Sequence, residues 1–298
     1  MANIYTHKAS NIQKTWLMFT VFFGVVIGVG FIVGQMYGNP IILYGAVIFS
    51  SLMSVISYWY SDKIVLSMYH AQPVTRENAR ELYVIVENLA ITAGLPTPKI
   101  YIVPESQPNA FATGRDPEHA VVAVTEGLLQ RLSKTELEGV LAHELSHIGN
   151  RDMLLSTVAI ILAGFISLLA DMFMRSWLWG GFHDRDNDRG GNGVFIVIGI
   201  VLSILAPIAA TLMQLAISRK REFLADASGV LLTRYPEGLA SALEKISRDS
   251  TPMATANNTT AHLWLDDPFD KRKKTPWLHT LFMTHPPIEE RIKILREM

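Results

Sequence analysis

The chain has no cysteine in its 298 residues. No disulfide can staple it, and no thiolate can hold a metal, so any metal site must draw on His, Asp and Glu. Charge is scarce as well. Asp, Glu, Lys and Arg make up only 18% of the residues, whereas an ordinary soluble domain carries roughly 25%. The formal net charge is −1, without the basic excess that a nucleic-acid partner requires. Long polar stretches are few, and 49% of the residues are hydrophobic. Together these shortages point to membrane segments, with the lipid bilayer as a partner.

Four runs contain no charged residue: 15–34, 41–61, 153–170 and 194–218. Each reaches the ~18–20 residues needed to cross the hydrocarbon core. For the last two, buried core helices are the alternative. The first run is no cleaved leader, because it exceeds the usual ~7–15 apolar residues and a second run follows at once. Gly24, Gly28, Gly30 and Gly34 form two small-xxx-small patterns in it. Pro207 is expected to kink the fourth run. Lys8, Lys14, Lys63, Arg151, Arg219, Lys220 and Arg221 gather on one side of the runs. Arg175, Arg185 and Arg189 on the other side are interspersed with aspartates. This bias predicts four spans with both termini in the cytoplasm.

The expected layout is a two-span anchor over 1–61, a soluble part over 62–152, a membrane hairpin over 153–218 and a second soluble part over 219–298. The two soluble parts are small and are expected to share one core. Helices are predicted over 77–93, 221–232 and 237–247, and strands over 99–103 and 120–124. A short edge strand is predicted over 109–114 and a polar loop over 250–276. The fold class is mainly α with a small β-sheet.

The most informative motif is His143-Glu144-Leu145-Ser146-His147. Imidazoles at i and i+4 share one helix face and reach a single metal, with the glutamate beside a water at that metal. Ser133 followed by Glu136 marks the helix start. Leu137, Val140, Leu141, Leu145 and Ile148 recur at helical spacing and predict an amphipathic helix. It leads directly into the third run. A catalytic zinc site needs a third protein ligand. The residue six positions after His147 is Met153, so a short three-histidine motif is absent. Glu222 and Asp226, again i and i+4, offer a ligand and a hydrogen-bond partner for a ligand imidazole. Equally, they fit a solvated charged helix.

Taken in order, Asn109-Ala110-Phe111-Ala112, the His-Glu motif with Asn150 and Asp152, Glu222-Phe223-Leu224-Ala225-Asp226 and Thr284-His285-Pro286-Pro287-Ile288-Glu289-Glu290-Arg291-Ile292 resemble one family. It is the membrane zinc metalloproteases of the HtpX heat-shock type, relatives of the CAAX prenyl endopeptidases. The resemblance implies a zincin-like cytoplasmic domain holding one zinc ion through His143, His147 and Glu222, with Glu144 as catalytic base. It also implies polypeptide substrates, chiefly damaged or misfolded membrane proteins, cut at the cytoplasmic face of a bacterial inner membrane under stress.

On this reading Asp226 orients an imidazole, and the backbone of Asn109, Ala110, Phe111 and Ala112 pairs with an extended substrate. His285 steadies the oxyanion, or it simply precedes the prolines that start the last helix. Arg291 shares the oxyanion role or pairs with Glu289 or Glu290 at the surface. His7, His70, His119, His183, His262 and His279 read as ordinary polar residues. A site-2-type intramembrane protease would need the motif inside a span, but Lys134, Glu136 and Glu138 sit on its helix. A prenyl-protein endopeptidase would use identical chemistry, although four spans are few for an enclosed chamber. A non-enzymatic membrane scaffold would bind no zinc.

Overall fold

The computed structural model describes residues 4–36, 38–180, 218–255, 264–265 and 286–298. It is mainly helical with one small mixed sheet. Helices α1 (Ile4–Met36) and α2 (Ile41–Trp59) form a hairpin closed by the Asn39 amide donating to the Gly34 carbonyl at 2.9 Å. Of the two glycine patterns, only the second touches α2. A Cβ on Gly30 would lie 2.3 Å from the Ala46 Cβ, whereas Gly24 and Gly28 face open space. Ala9–Gln35 and Ile41–Trp59 are the two helices among the described residues that are long and apolar enough to cross a bilayer. Trp16, Phe31, Tyr44, Ile48, Leu52 and Val55 stay exposed on them. An apolar belt of that size suits lipid rather than water.

Beyond the short helix α3 (Ser61–Met68), strands β1 (Gln72–Pro73), β2 (Lys99–Val103), β3 (Ala110–Thr113) and β4 (Val121–Thr125) form a sheet in the order β1-β2-β4-β3. The β2–β4 pair is parallel, and the other two pairs are antiparallel. The β-branched run of β4 is buried throughout, as a central strand should be. It lies one residue later than the predicted 120–124. β3 ends the sheet, matching the edge expected over 109–114.

Helix α4 (Arg80–Ala93) starts three residues after the predicted 77. The reason is local: the Asn78 side chain accepts from the Thr75 amide at 2.8 Å, and that turn competes with helix. Gly94, with φ 65, terminates it. A short α5 (Glu126–Arg131) then leads to α6 (Lys134–Gly149), which carries the motif.

The predicted amphipathic face of α6 understates its burial. From Gly139 to Ser146 every residue is buried, because packed elements enclose it. α7 (Asp152–Gly180) follows after a bend of 82° at Asn150-Arg151, where Arg151 takes φ 57. Leu155, Val158, Ala159, Leu162 and Ile166 of α7 pack on Met18, Phe22 and Val26 of α1. The predicted third run thus begins as a helix docked on the first. The fourth run, 194–218, lies outside the described residues except for Ser218.

Helices α8 (Arg219–Thr233), α9 (Pro236–Arg248) and α10 (Ile288–Arg296) complete the structure. The main core joins Leu82, Val86 and Leu89 of α4, Ile100, Val122 and Val124 of the sheet, Leu141 and Leu145 of α6, and Leu239 and Leu243 of α9. The predicted polar loop over 250–276 is wrong at one point. Trp264 is fully buried between Tyr69 and Phe111, and its Nε1 donates to the Tyr69 hydroxyl at 3.0 Å. An indole of that size gains more from burial than from solvent.

Candidate metal centre

The motif helix is fixed at its start. The Ser133 amide donates to Glu136 Oε2 at 2.7 Å, and Lys245 of α9 donates to the same oxygen at 2.7 Å. Ten residues on, α8 approaches so closely that a Cβ on Gly229 would meet the His143 amide nitrogen at 3.0 Å. That contact needs glycine, and it brings Glu222 and Asp226 against the two imidazoles.

His143 Nε2 lies 3.7 Å from Glu222 Oε2, His147 Nε2 lies 3.7 Å from Glu222 Oε1, and the two Nε2 atoms are 3.1 Å apart. His143 Nδ1 faces Asp226 Oδ1 at 2.9 Å, and His147 Nδ1 faces Asp152 Oδ2 at 3.0 Å. A carboxylate only accepts, so in neutral imidazoles both Nδ1 atoms carry the proton. Both Nε2 lone pairs then face each other across a short gap. A cation between them satisfies that arrangement. A tetrahedral zinc with Zn–N bonds of ~2.0–2.1 Å sets two ligand nitrogens ~3.3 Å apart. The donor set therefore fits zinc, and all its ligand atoms lie within 4.8 Å of one another. Among the described residues it is the one such group.

Basicity reflects the same crowding of carboxylates. Burial pushes the His147 imidazole down, but the Asp152 hydrogen bond and the charges of Glu222, Asp152 and Glu144 outweigh it and hold it up at about 9. Burial pushes the Asp226 carboxyl up, but Arg291 and His143 outweigh that and hold it at about 2. Asp226 is therefore ionised at neutral pH. Glu144 is buried at 4% exposure, on the motif helix between the two histidines.

The structure thus brings His143, His147, Glu222 and Asp226 together, and Glu144 sits among them. His285 lies outside the described residues. The surface pairing foreseen for Arg291 does not occur. Arg291 is wholly buried, with Nε donating to Asp226 Oδ2 at 2.9 Å and Nη2 to Asp226 Oδ1 at 2.6 Å. Its Nη1 stands 3.7 Å from Glu222 Oε2. The cause is the docking of α10, which turns Arg291 inward, away from Glu289 and Glu290 on its outer side.

Sequence reasoning also missed Asp152. It follows the helix end, where helical spacing says nothing, and only the bend returns it to His147. The available signal was its place, with Asn150, just after the His-Glu motif in the family resemblance. Asn109, Ala110, Phe111 and Ala112 are all buried. The Thr125 amide donates to the Asn109 carbonyl at 3.0 Å. Ladder alternation then sends the backbone polar groups of Ala110 and Ala112 away from β4, where the Ala110 amide donates to Asn109 Oδ1 at 3.2 Å.

A model of peptidase family M48 matches residues 76–298. The chain belongs to peptidase family M48. This M48 peptidase is 47% identical to the "Protease HtpX homolog" of Caldanaerobacter subterraneus subsp. tengcongensis, over 99% of this chain and 98% of the relative. It is 50% identical to that of Pyrococcus furiosus, over 96% of this chain and 95% of the relative. The crystal structure of S. mikatae Ste24p shares the fold, with a TM-score of 0.52 at 17% identity, over 98% of this chain and 67% of the other. The M48 peptidase is a metalloprotease with apolar helices suited to a membrane, and His143, His147 and Glu222 are its candidate metal ligands.

Arg291→Met is expected to cost ~3–5 kcal/mol of stability, because it leaves the buried Asp226 charge without its main partner. Denaturant unfolding of the detergent-solubilised protein, followed by tryptophan fluorescence, measures this. A loss within the ~1 kcal/mol of a surface pair would show that Asp226 does not depend on Arg291.

Proposed function

We propose that this chain is a zinc-dependent endopeptidase of the bacterial inner membrane. It cuts damaged or misfolded membrane proteins at the cytoplasmic face as part of quality control under stress. The observation that carries this reading is the convergence of His143, His147 and Glu222, with the far nitrogen of each imidazole held by a buried carboxylate. The relatives' name, Protease HtpX homolog, supports it.

His143, His147 and Glu222 would hold the zinc. Bound zinc supplies Lewis acidity, acidifying a water and polarising the scissile carbonyl. Glu144 would take a proton from the attacking water and later deliver it to the leaving amine. Asp226 fixes the tautomer of His143. The side of β3 away from β4 pairs with the extended substrate through Ala110 and Ala112, the Ala110 amide exchanging Asn109 Oδ1 for a substrate carbonyl, with Asn109 and Phe111 setting the strand in place. Recognition by backbone alone suits substrates of varied sequence. His285 steadies the oxyanion. Arg291 serves the carboxylates of Asp226 and Glu222.

Four spans, with both termini and the soluble parts 62–152 and 219–298 in the cytoplasm, complete the reading. The proximity of the site to the bilayer is supported by Asn11 of the first span, whose side chain bonds Asp152 at 2.6 Å. Loops of neighbouring membrane proteins are the polypeptides within reach of such a site. The test is incubation of the full-length, detergent-purified protein with unfolded casein. Cleavage should stop on adding a chelator and return on adding zinc. Cleavage indifferent to the chelator, or none from zinc-loaded protein, would refute the reading.

A further inference from the structure

Asn11 stands near the start of the first membrane helix, yet it is only 4% exposed. Its polar atoms are directed at the support of the metal centre. Nδ2 donates to Asp152 Oδ1 at 2.6 Å and to the Asn150 carbonyl at 3.3 Å. Oδ1 accepts from Arg221 Nη1 at 3.4 Å. This amide orientation gives each atom a partner of the correct kind. The other oxygen of Asp152 faces His147 Nδ1 at 3.0 Å. A continuous chain of buried contacts therefore runs from α1 through one carboxylate to a metal-ligand imidazole.

We propose that Asn11 is a positioning residue for the metal centre. By occupying one oxygen of Asp152 it fixes the other on His147, and so holds that imidazole in the tautomer and orientation that ligation needs. Metal affinity then depends on the seating of the first span against the catalytic domain. The inference rests on the zinc reading above. Without the amide, Lys14 acts on Asp152 through its charge, and Arg221 Nε stands 3.9 Å from Oδ1, too far for a hydrogen bond. Closing that gap rotates the carboxylate away from His147. The docking of α1 does not itself rely on Asn11, because Met18, Phe22 and Val26 pack on α7 through apolar contacts deeper in the span. A leucine at position 11 therefore leaves the helix seated and removes the amide's bonds to Asp152, Asn150 and Arg221.

The experiment uses the full-length protein in detergent, with zinc affinity measured by competition against a chromogenic chelator. Asn11→Leu is expected to weaken zinc binding ~10–100-fold, as for loss of an outer partner of a ligand. Asp152→Ala should weaken it similarly, and the double variant should add little to either single change. Thr15→Val, which removes only a hydroxyl bonded to the Asn11 carbonyl within the same helix, should stay within about 2-fold of the parent. The visible spectrum of the cobalt-loaded protein should shift in Asn11→Leu and not in Thr15→Val, because it reports ligand geometry rather than stability. If the leucine variant fails to fold, Asn11→Ser, too short to reach Asp152, is read the same way. Parental affinity with an unchanged cobalt spectrum overturns the inference. A parent protein that binds no zinc overturns the function proposed above, and this inference with it.

Discussion

Glu144→Gln is expected to slow peptide cleavage ~10²–10⁴-fold, the range for loss of a general base, while the zinc content stays that of the parent. Glutamine keeps the volume and position of the side chain at a site only 4% exposed, so packing is preserved. It cannot take up a proton, so water loses its acceptor and the leaving amine its donor. The ligand set of His143, His147 and Glu222 does not include Glu144, which is why metal should remain. The measurements are kcat/KM on an unfolded peptide substrate and metal content by elemental analysis of the same sample. Parental turnover by the glutamine variant would remove Glu144 from the chemistry. Loss of metal together with activity would make it a ligand or a structural support instead.

The second large effect concerns Glu222. Glu222→Ala should abolish stoichiometric zinc binding, a greater loss than the ~10–100-fold expected of an outer partner. Two imidazoles whose Nε2 atoms lie 3.1 Å apart would then lack the third ligand that completes the coordination. Zinc stabilises only the form that binds it, so it should raise the melting temperature of the parent and leave that of the variant unchanged. Full zinc occupancy in purified Glu222→Ala would exclude Glu222 from the centre. The comparison also separates the two sequence-level readings of this helix, since a solvated acidic residue could be replaced without consequence for metal.

What was legible in the chain follows from how local each feature is. His143 with His147, and Glu222 with Asp226, are pairs one helical turn apart, and the period of the helix alone puts each pair on one face. The first two membrane helices are as readable, because composition over twenty residues decides whether a helix can lie in lipid. The helix start at Ser133 and the strand over Lys99–Val103 are also local, and they stand in the fold.

The tertiary structure decided the rest. The pair of α8 residues meets the pair of α6 residues because Gly229 lets the two backbones touch, which no periodicity announces. Arg291 meets Asp226 across 65 residues of chain, and Asn11 meets Asp152 across 141. Trp264 lies 195 residues from the Tyr69 hydroxyl it bonds. In each case a polar group enters the interior only where a partner waits to satisfy it, and that partner is chosen by packing, not by spacing. The amino-acid order by itself determined which side chains are able to bind a metal and which helices suit a membrane. Packing determined how the imidazoles are oriented and which residues hold them there, because an orientation requires a second contact from elsewhere in the fold.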